Sequence, residues 1–310
     1  MNKILILKRS LFITGISLFT IFLLYLAHQY LLRPPRTAQK QALFKGIVYQ
    51  RDVRSSPRPN LIHIITIDLN APGIKLLVTP GLTEPRMQQL RGMPAPIPVE
   101  LPARTTSEFL AEFKLQVAVN ANFHYPSREN LFGDFYPDSG EMINLVGQAI
   151  SNGSEYSASE AKWPVLCITA TKQAKILETG KCPSGTDQAI AGSAILVARG
   201  KTVSVDKNAP DNQGLLPRTV VGIDASGKKL WLVVVDGRQP FYSEGVTLAE
   251  LSQILVELGI DSAINLDGGG SASLVVAADG ARLLNSAVRN RIPMRERPVG
   301  NHLGIYAQPN

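Results

Sequence analysis

The first stretch of the chain shows no alternation of polar and apolar positions at all. Ser10 to Ala27 (SLFITGISLFTIFLLYLA) carries no charged residue and follows Lys3, Lys8 and Arg9. Roughly 18 uncharged, mostly apolar residues can cross a bilayer, whereas a secretory signal core usually spans about 7–15. No small-x-small cleavage site follows, and Tyr25 and Tyr30 are placed for a membrane interface. The pattern predicts a cytoplasmic tail over residues 1–9 and an uncleaved membrane helix over 10–30. Arg33 to Lys40 (RPPRTAQK) is polar with two prolines, so 31–43 is read as a linker. With the N-terminal charges kept inside, the remainder, 44–310, is expected outside the cytoplasm in the periplasm or at the cell surface.

From Phe44 the spacing becomes β-like. Residues 47–49, 61–69 and 74–79 are β-branched runs separated by Ser-Pro-Arg-Pro-Asn and Ala-Pro-Gly turns. Residues 81–102 hold several prolines and little periodicity, and are read as a loop. A short helix is expected over 105–113, opened by Thr106 or Ser107, then a strand over 115–120. Residues 127–162 are rich in Gly, Ser, Asn and Asp and predict irregular chain. Further strands are expected at 165–169, 173–177, 189–197, 202–205, 220–224 and 229–236. Thr247-Leu248-Ala249-Glu250 is a capping box, Gly259 a stop, and Leu248, Leu251, Ile254, Leu255 and Leu258 recur at helical spacing between them. That helix leads into a strand over 262–266. Many strands with few helices and no strict βαβ alternation predict an α+β fold of mixed or antiparallel sheets with flanking helices.

Composition narrows the function classes. With 45% hydrophobic residues among 310, a large core is within reach, and the net charge of +7 is spread out. No basic stripe interleaved with aromatics appears, which argues against nucleic acid; an anionic substrate or membrane suits the balance better. Cys167 and Cys182 are too few for a disulfide scaffold, but could close one local loop in an oxidising compartment.

The chemistry concentrates at the ends of apolar runs. Asn265-Leu266-Asp267-Gly268-Gly269-Gly270-Ser271 places a carboxylate beside three glycines, whose bare N–H groups can form a nest for an anion. It is neither a Walker loop nor a dinucleotide fingerprint, and Ser273 stands where a nucleophile elbow needs glycine, so Ser271 reads as a hydrogen-bonding group. A flexible turn with Asp267 as turn former is the bland alternative. Asp236-Gly237-Arg238 ends the run 230–235, although Asp-Gly is also a common turn. Arg218-Thr219 leads into 220–223, where a guanidinium needs either a structural carboxylate or a substrate anion. Asn120-Ala121-Asn122-Phe123-His124 sets two carboxamides on one face, able to bind sugar hydroxyls or to cap a turn. Arg289, Arg291, Arg295, Arg297 and Asn301 form a C-terminal cluster that is either an anion site or a solvated loop. Asp267 with Asn265 could hold Ca²⁺ or Mg²⁺, both being hard oxygen ligands.

Together these segments resemble the phosphodiester glycosidase family, over roughly 110–307. The resemblance rests on the glycine loop, Arg218-Thr219-x-x-Gly222, Asp236-Gly237-Arg238, the Asn-rich 120–123 segment and the closing Arg297-Pro298-Val299-Gly300-Asn301-His302-Leu303-Gly304. Asn-Ala-Asn-Phe stands where the family usually shows an Asn-Gly-Gly-Phe-like segment, and residues 44–100 lie outside the match. The resemblance implies hydrolysis of a glycosidic bond to a phosphodiester in an extracytoplasmic glycan or glycoconjugate. It implies Asp267, then Asp236, as the catalytic carboxylate. Arg218, Thr219, Arg238, Gly268, Gly269, Gly270, Ser271, Asn120, Asn122, Arg289 and Asn301 would contact substrate. Two other classes fit the same residues: a non-catalytic binder of anionic envelope glycans, and a phosphodiesterase that cuts the P–O bond.

Overall fold

The computed structural model describes residues 2–82, 101–125, 136–206 and 208–310. A helix runs over Asn2–Leu31, and its Thr14–Leu31 portion, mean hydropathy 1.3 with none of it buried, is long and apolar enough to cross a membrane. The rest is α+β. Every strand pair among the described residues is antiparallel.

The largest sheet has eight strands, in the spatial order Gln39–Phe44, Ile47–Arg54, Asn60–Asp68, Lys229–Val235, Arg218–Ile223, Ser262–Leu266, Ala194–Ala198 and Lys201–Thr202. Period-two alternation gives it two apolar faces. Ile62, Ile64, Val220 and Val233 pack on one side against Leu248, Leu251 and Leu255 of the helix Leu248–Glu257. Ile65, Ile67, Val221 and Leu232 pack on the other against two five-stranded sheets. One of these, built around Val117–Asn120 and His302–Tyr306, is covered outside by the helix Thr106–Phe113 through Phe109 and Leu110. The other contains Val165–Thr169 and Thr186–Ala191 and is stapled by the disulfide Cys167–Cys182.

Several sequence expectations need correction. Residues 39–43 are not linker: Gly46, at φ +77, lets the chain turn, and Gln39–Phe44 pairs with Ile47–Arg54. The helix over 106–113 is capped by Thr105, not by Thr106 or Ser107. Its hydroxyl accepts from the Glu108 N–H while the Glu108 carboxylate accepts from the Thr105 N–H. The run 189–197 is two strands in different sheets, broken at Gly192, where a Cβ would lie 2.4 Å from the Asn265 carbonyl. The stretch 202–205 forms strand only over Lys201–Thr202. Within 127–162 the chain pairs at Met142–Ile143, Ala149–Ser151 and Ser154–Ser157. Of the loop expected over 81–102, residues 83–100 lie outside the described residues, and Leu101–Pro102 pairs with Met142–Ile143.

Candidate active site

Antiparallel register gathers the three charged motifs. Thr219 lies opposite Leu266 and Arg218 opposite Val235. The start of Arg218–Ile223 therefore meets the exits of Ser262–Leu266 and Lys229–Val235 at one rim of the large sheet. Close packing there excludes side chains: a Cβ on Gly268 would lie 2.7 Å from the Pro217 carbonyl, and one on Gly237 would lie 2.5 Å from the Pro217 nitrogen. Gly269 has φ +58, the left-handed region, and its bare α-carbon faces Arg238, whose Nη2 would be 3.2 Å from an added Cβ.

The result is a cleft of about 670 Å³. Its floor is Asp267 with Gly268, Gly269 and Gly270. Arg218, Arg238 and Arg297 bring positive charge, His124 and Asn265 face in, and Phe123 and Trp163 form an aromatic wall. Their rings stand edge to face at 5.4 Å, a surface suited to the apolar face of a sugar ring.

Asp267 is held on one side only. The Ser271 hydroxyl donates to Oδ2 at 2.5 Å and in turn accepts from the Arg297 guanidinium through Nε, at 3.1 Å, and Nη2. Arg297 Nη2 is itself 3.9 Å from Oδ2, and the Arg297 guanidinium stacks on Tyr136 at 3.8 Å. Oδ1 accepts no hydrogen bond among the described residues, which leaves it to the cleft. His124 Nδ1 lies 3.7 Å from Oδ2, too far for a hydrogen bond, and is buried with no hydrogen-bond partner among the described residues. Burial holds the His124 imidazole below its ordinary pKa; the Asp267 charge opposes this and Arg297 reinforces it. His124 is thus a neutral base at neutral pH. The second orphan is Asn265 Oδ1, buried and unpaired, while its Nδ2 donates to the Ser193 hydroxyl at 2.9 Å. Two unpaired buried acceptors facing one cleft mark it as built for a ligand.

The sequence of residues 113–306 matches the phosphodiester glycosidase family. This chain belongs to that family. A phosphodiester glycosidase is a hydrolase acting on phosphodiester-linked sugar, and the cleft just described lies within the matched region. In structure the chain is similar to a hypothetical protein from Synechocystis, with TM-score 0.63 and 16% identity over 89% of this chain. It spans 64% of that protein, just under two-thirds of its length. It is also similar to the zebrafish N-acetylglucosamine-1-phosphodiester alpha-N-acetylglucosaminidase catalytic domain auto-inhibited by pro-peptide. There the TM-score is 0.55 and the identity 21%, covering 91% of this chain and 94% of that one. Such identities carry the fold. No curated protein sequence matches the chain.

Within this glycosidase fold the residues singled out from sequence divide into two groups. Asp267, Arg218, Arg238 and Gly268 to Gly270 line the cleft; Ser271 stands behind Asp267 and orients it. The rest are placed elsewhere. Asp236 is sealed, its side chain unexposed, with Oδ2 3.1 Å from His63 Nε2 and Oδ1 accepting from Asn285 Nδ2 and the Ser286 N–H. Asn120 stitches the sheets together: its Nδ2 donates to the Asp267 carbonyl, and its Oδ1 accepts from Thr219 Oγ1 and the Ser273 N–H. Asn122 and Asn301 bond each other and the neighbouring backbone. All four of these polar residues are fully buried, so they build the floor beneath the site instead of contacting substrate. Arg289 pairs with Asp138 at 2.9 Å and lines a neighbouring pocket.

Arg218 faces the cleft, yet it also serves the scaffold. Its Nε donates to the Val246 carbonyl, and its Nη2 to those of Asp211 and Gly214. Burial brings its pKa down to about 10, opposed by Asp211 and assisted by Arg238, so it stays cationic at neutral pH. Asn265 and Asp267 do not fit a Ca²⁺ site. One carboxylate and one carboxamide fall short of the six to eight oxygens Ca²⁺ takes, the Arg297 cation already lies beside the carboxylate, and no cluster of three acidic, His or Cys ligands occurs among the described residues.

Sequence reasoning missed Trp163, Ser193 and Asp211 as cleft residues and left His124 unassigned. Only Trp163, a lone large aromatic in a polar stretch, offered a signal.

Proposed function

We propose that this protein is a membrane-anchored hydrolase that cleaves the C–O glycosidic bond of a sugar-1-phosphodiester outside the cytoplasm. The observation that carries the reading is that a half-held carboxylate, a neutral buried imidazole, and guanidinium groups beside a bare glycine backbone share one cleft. The sugar would rest against Phe123 and Trp163. Arg238, whose side chain has no hydrogen-bond partner among the described residues, and the Gly268–Gly270 backbone would bind the phosphodiester and stabilise charge as it departs. Phosphate leaves readily, so little acid assistance is required. Asp267 Oδ1 would then face the electron-deficient anomeric carbon, as nucleophile or as stabilising charge. The His124 imidazole, whose pKa is lowered by burial, would take a proton from attacking water.

The test is hydrolysis of a sugar-1-phosphodiester in H₂¹⁸O. Label recovered in the sugar supports the proposal; label in the phosphate replaces it with P–O cleavage. Tight, salt-sensitive binding with no product over long incubation would make the protein a binder of anionic glycans.

A further inference from the structure

A second pocket, of about 700 Å³, adjoins the cleft and shares Tyr136, Arg238, Gly270 and Arg297 with it. Arg289 and Arg291 bring its arginines to four, and no carboxylate lines it among the described residues. Among the described residues Arg289 meets the exposed Asp138 and Arg297 lies 3.9 Å from the Asp267 carboxylate; neither Arg238 nor Arg291 has an ion pair or side-chain hydrogen bond there. A tight turn joins Val288–Arg289 to Ile292–Pro293, with both central residues, Asn290 and Arg291, at positive φ (52° and 63°). Such turns favour Asn-Gly, so an arginine is held here where glycine would fit more easily.

Tyr30, in the last turn of the membrane-length helix, also lines this pocket. The helix end is fastened to the domain at this place. Arg33 stacks on Tyr30 at 4.7 Å and on Tyr242 at 4.2 Å, and the Tyr242 hydroxyl donates to the Pro34 carbonyl at 2.7 Å. Between the pocket-lining Pro240 and the helix-bound Tyr242 stands Phe241, 90% exposed. An aromatic ring so exposed, like the exposed Leu31 and Leu32 at the helix end, suits a membrane interface and not bulk water.

We propose that this pocket is the leaving-group subsite and that it takes a second phosphate on an aglycone held in the surface of the same membrane. The substrate class is a sugar joined by a phosphodiester to a lipid-anchored, phosphate-bearing chain. The first phosphate lies over the glycine loop, the next falls among Arg238, Arg289 and Arg291, and the chain leaves past Tyr30 and Phe241 into the bilayer surface. This rests on the glycosidase reading above, which it extends from the bond cleaved to the molecule that carries it.

The experiment uses the full chain in zwitterionic vesicles with three sugar phosphodiesters: one phosphate and soluble, two phosphates and soluble, two phosphates and lipid-anchored in the same vesicles. In R289Q/R291Q, the kcat/KM preference for two phosphates over one should fall about tenfold, mostly through KM, a change of about 1.4 kcal/mol. An unchanged preference overturns the subsite. In Phe241→Ser the preference for anchored over soluble substrate should fall several-fold; equal rates on both in the wild type overturn the membrane source. If the wild type turns over none of the three, the hydrolase reading fails, and binding of inorganic pyrophosphate still judges the pocket. Roughly tenfold weaker binding by the double variant supports it, and unchanged binding overturns it.

Discussion

Replacing Asp267 by Asn separates the catalytic role of this carboxylate from its structural one. The carboxamide keeps the shape and can still accept from the Ser271 hydroxyl, so the change is chiefly one of charge. Arg297 Nη2 lies 3.9 Å from Oδ2, an attraction of about 4 kcal/mol at an effective dielectric near 20. Much of that is offset because the carboxylate no longer has to be stripped of water. Arg297 also keeps the Ser271 oxygen and its stack on Tyr136. The expected cost is about 2 kcal/mol, below the roughly 3–5 kcal/mol of a sealed pair, or a melting shift of roughly 4–8 °C. Catalysis loses more. A carboxylate about 3.3 Å from a cationic anomeric carbon supplies about 5 kcal/mol at the same dielectric, so kcat/KM should fall by about 10³–10⁴. Asp236→Asn should do the reverse, because both oxygens of that carboxylate are spent on His63, Asn285 and Ser286 inside the protein. Stability should drop by about 3–5 kcal/mol while the folded fraction keeps turnover within about tenfold of the wild type. Sugar release and thermal melting followed by circular dichroism, run on both variants, decide the matter. The reasoning fails if Asp267→Asn retains more than a tenth of wild-type activity, or if Asp236→Asn is inactive with an unchanged melt.

Two of the three cleft arginines, Arg218 at a strand start and Arg238 just past a strand end, should also part company. Arg238→Ala is expected to raise KM for a sugar phosphodiester with little effect on melting, whereas Arg218→Ala should lower the melting temperature as well, since it releases three backbone carbonyls. Reduction of Cys167–Cys182 opens a loop of 15 residues and should cost about 3 kcal/mol, read as a lower urea midpoint in dithiothreitol. Burial, with Arg104 second, pushes His302 down from 6.5 to about 3. The unfolded chain therefore binds this proton first: stability is complete above about pH 6.5 and drains as pH falls toward 3, by up to about 1.4 kcal/mol per unit. Urea midpoints at pH 7 and 4.5 should show the loss, and His302→Gln should flatten it.

Much of this protein is written locally. The charge-free N-terminal run, the Thr247–Glu250 capping box with its leucine face, and the adjacent carboxylate and glycines at 267–270 each depend on neighbours within a few residues: the first two form helices and the third lines the cleft. Local pattern does not say which polar group meets solvent. Asp236 and Asp267 look alike in sequence, each an aspartate before glycine at the end of an apolar run. Asp236 is sealed because His63, Asn285 and Ser286 close over it from distant parts of the chain, whereas Asp267 keeps one oxygen toward the cleft. The same holds for Asn120 and Asn122, whose carboxamides are consumed by groups far away in sequence, and for 189–197, which looks like one strand until Gly192 must pass the Asn265 carbonyl. Burial and hydrogen-bond partnership are properties of pairs brought together by register, so tertiary packing decided which aspartate faces the cleft, which is sealed, and which arginine joins the cleft to the neighbouring pocket.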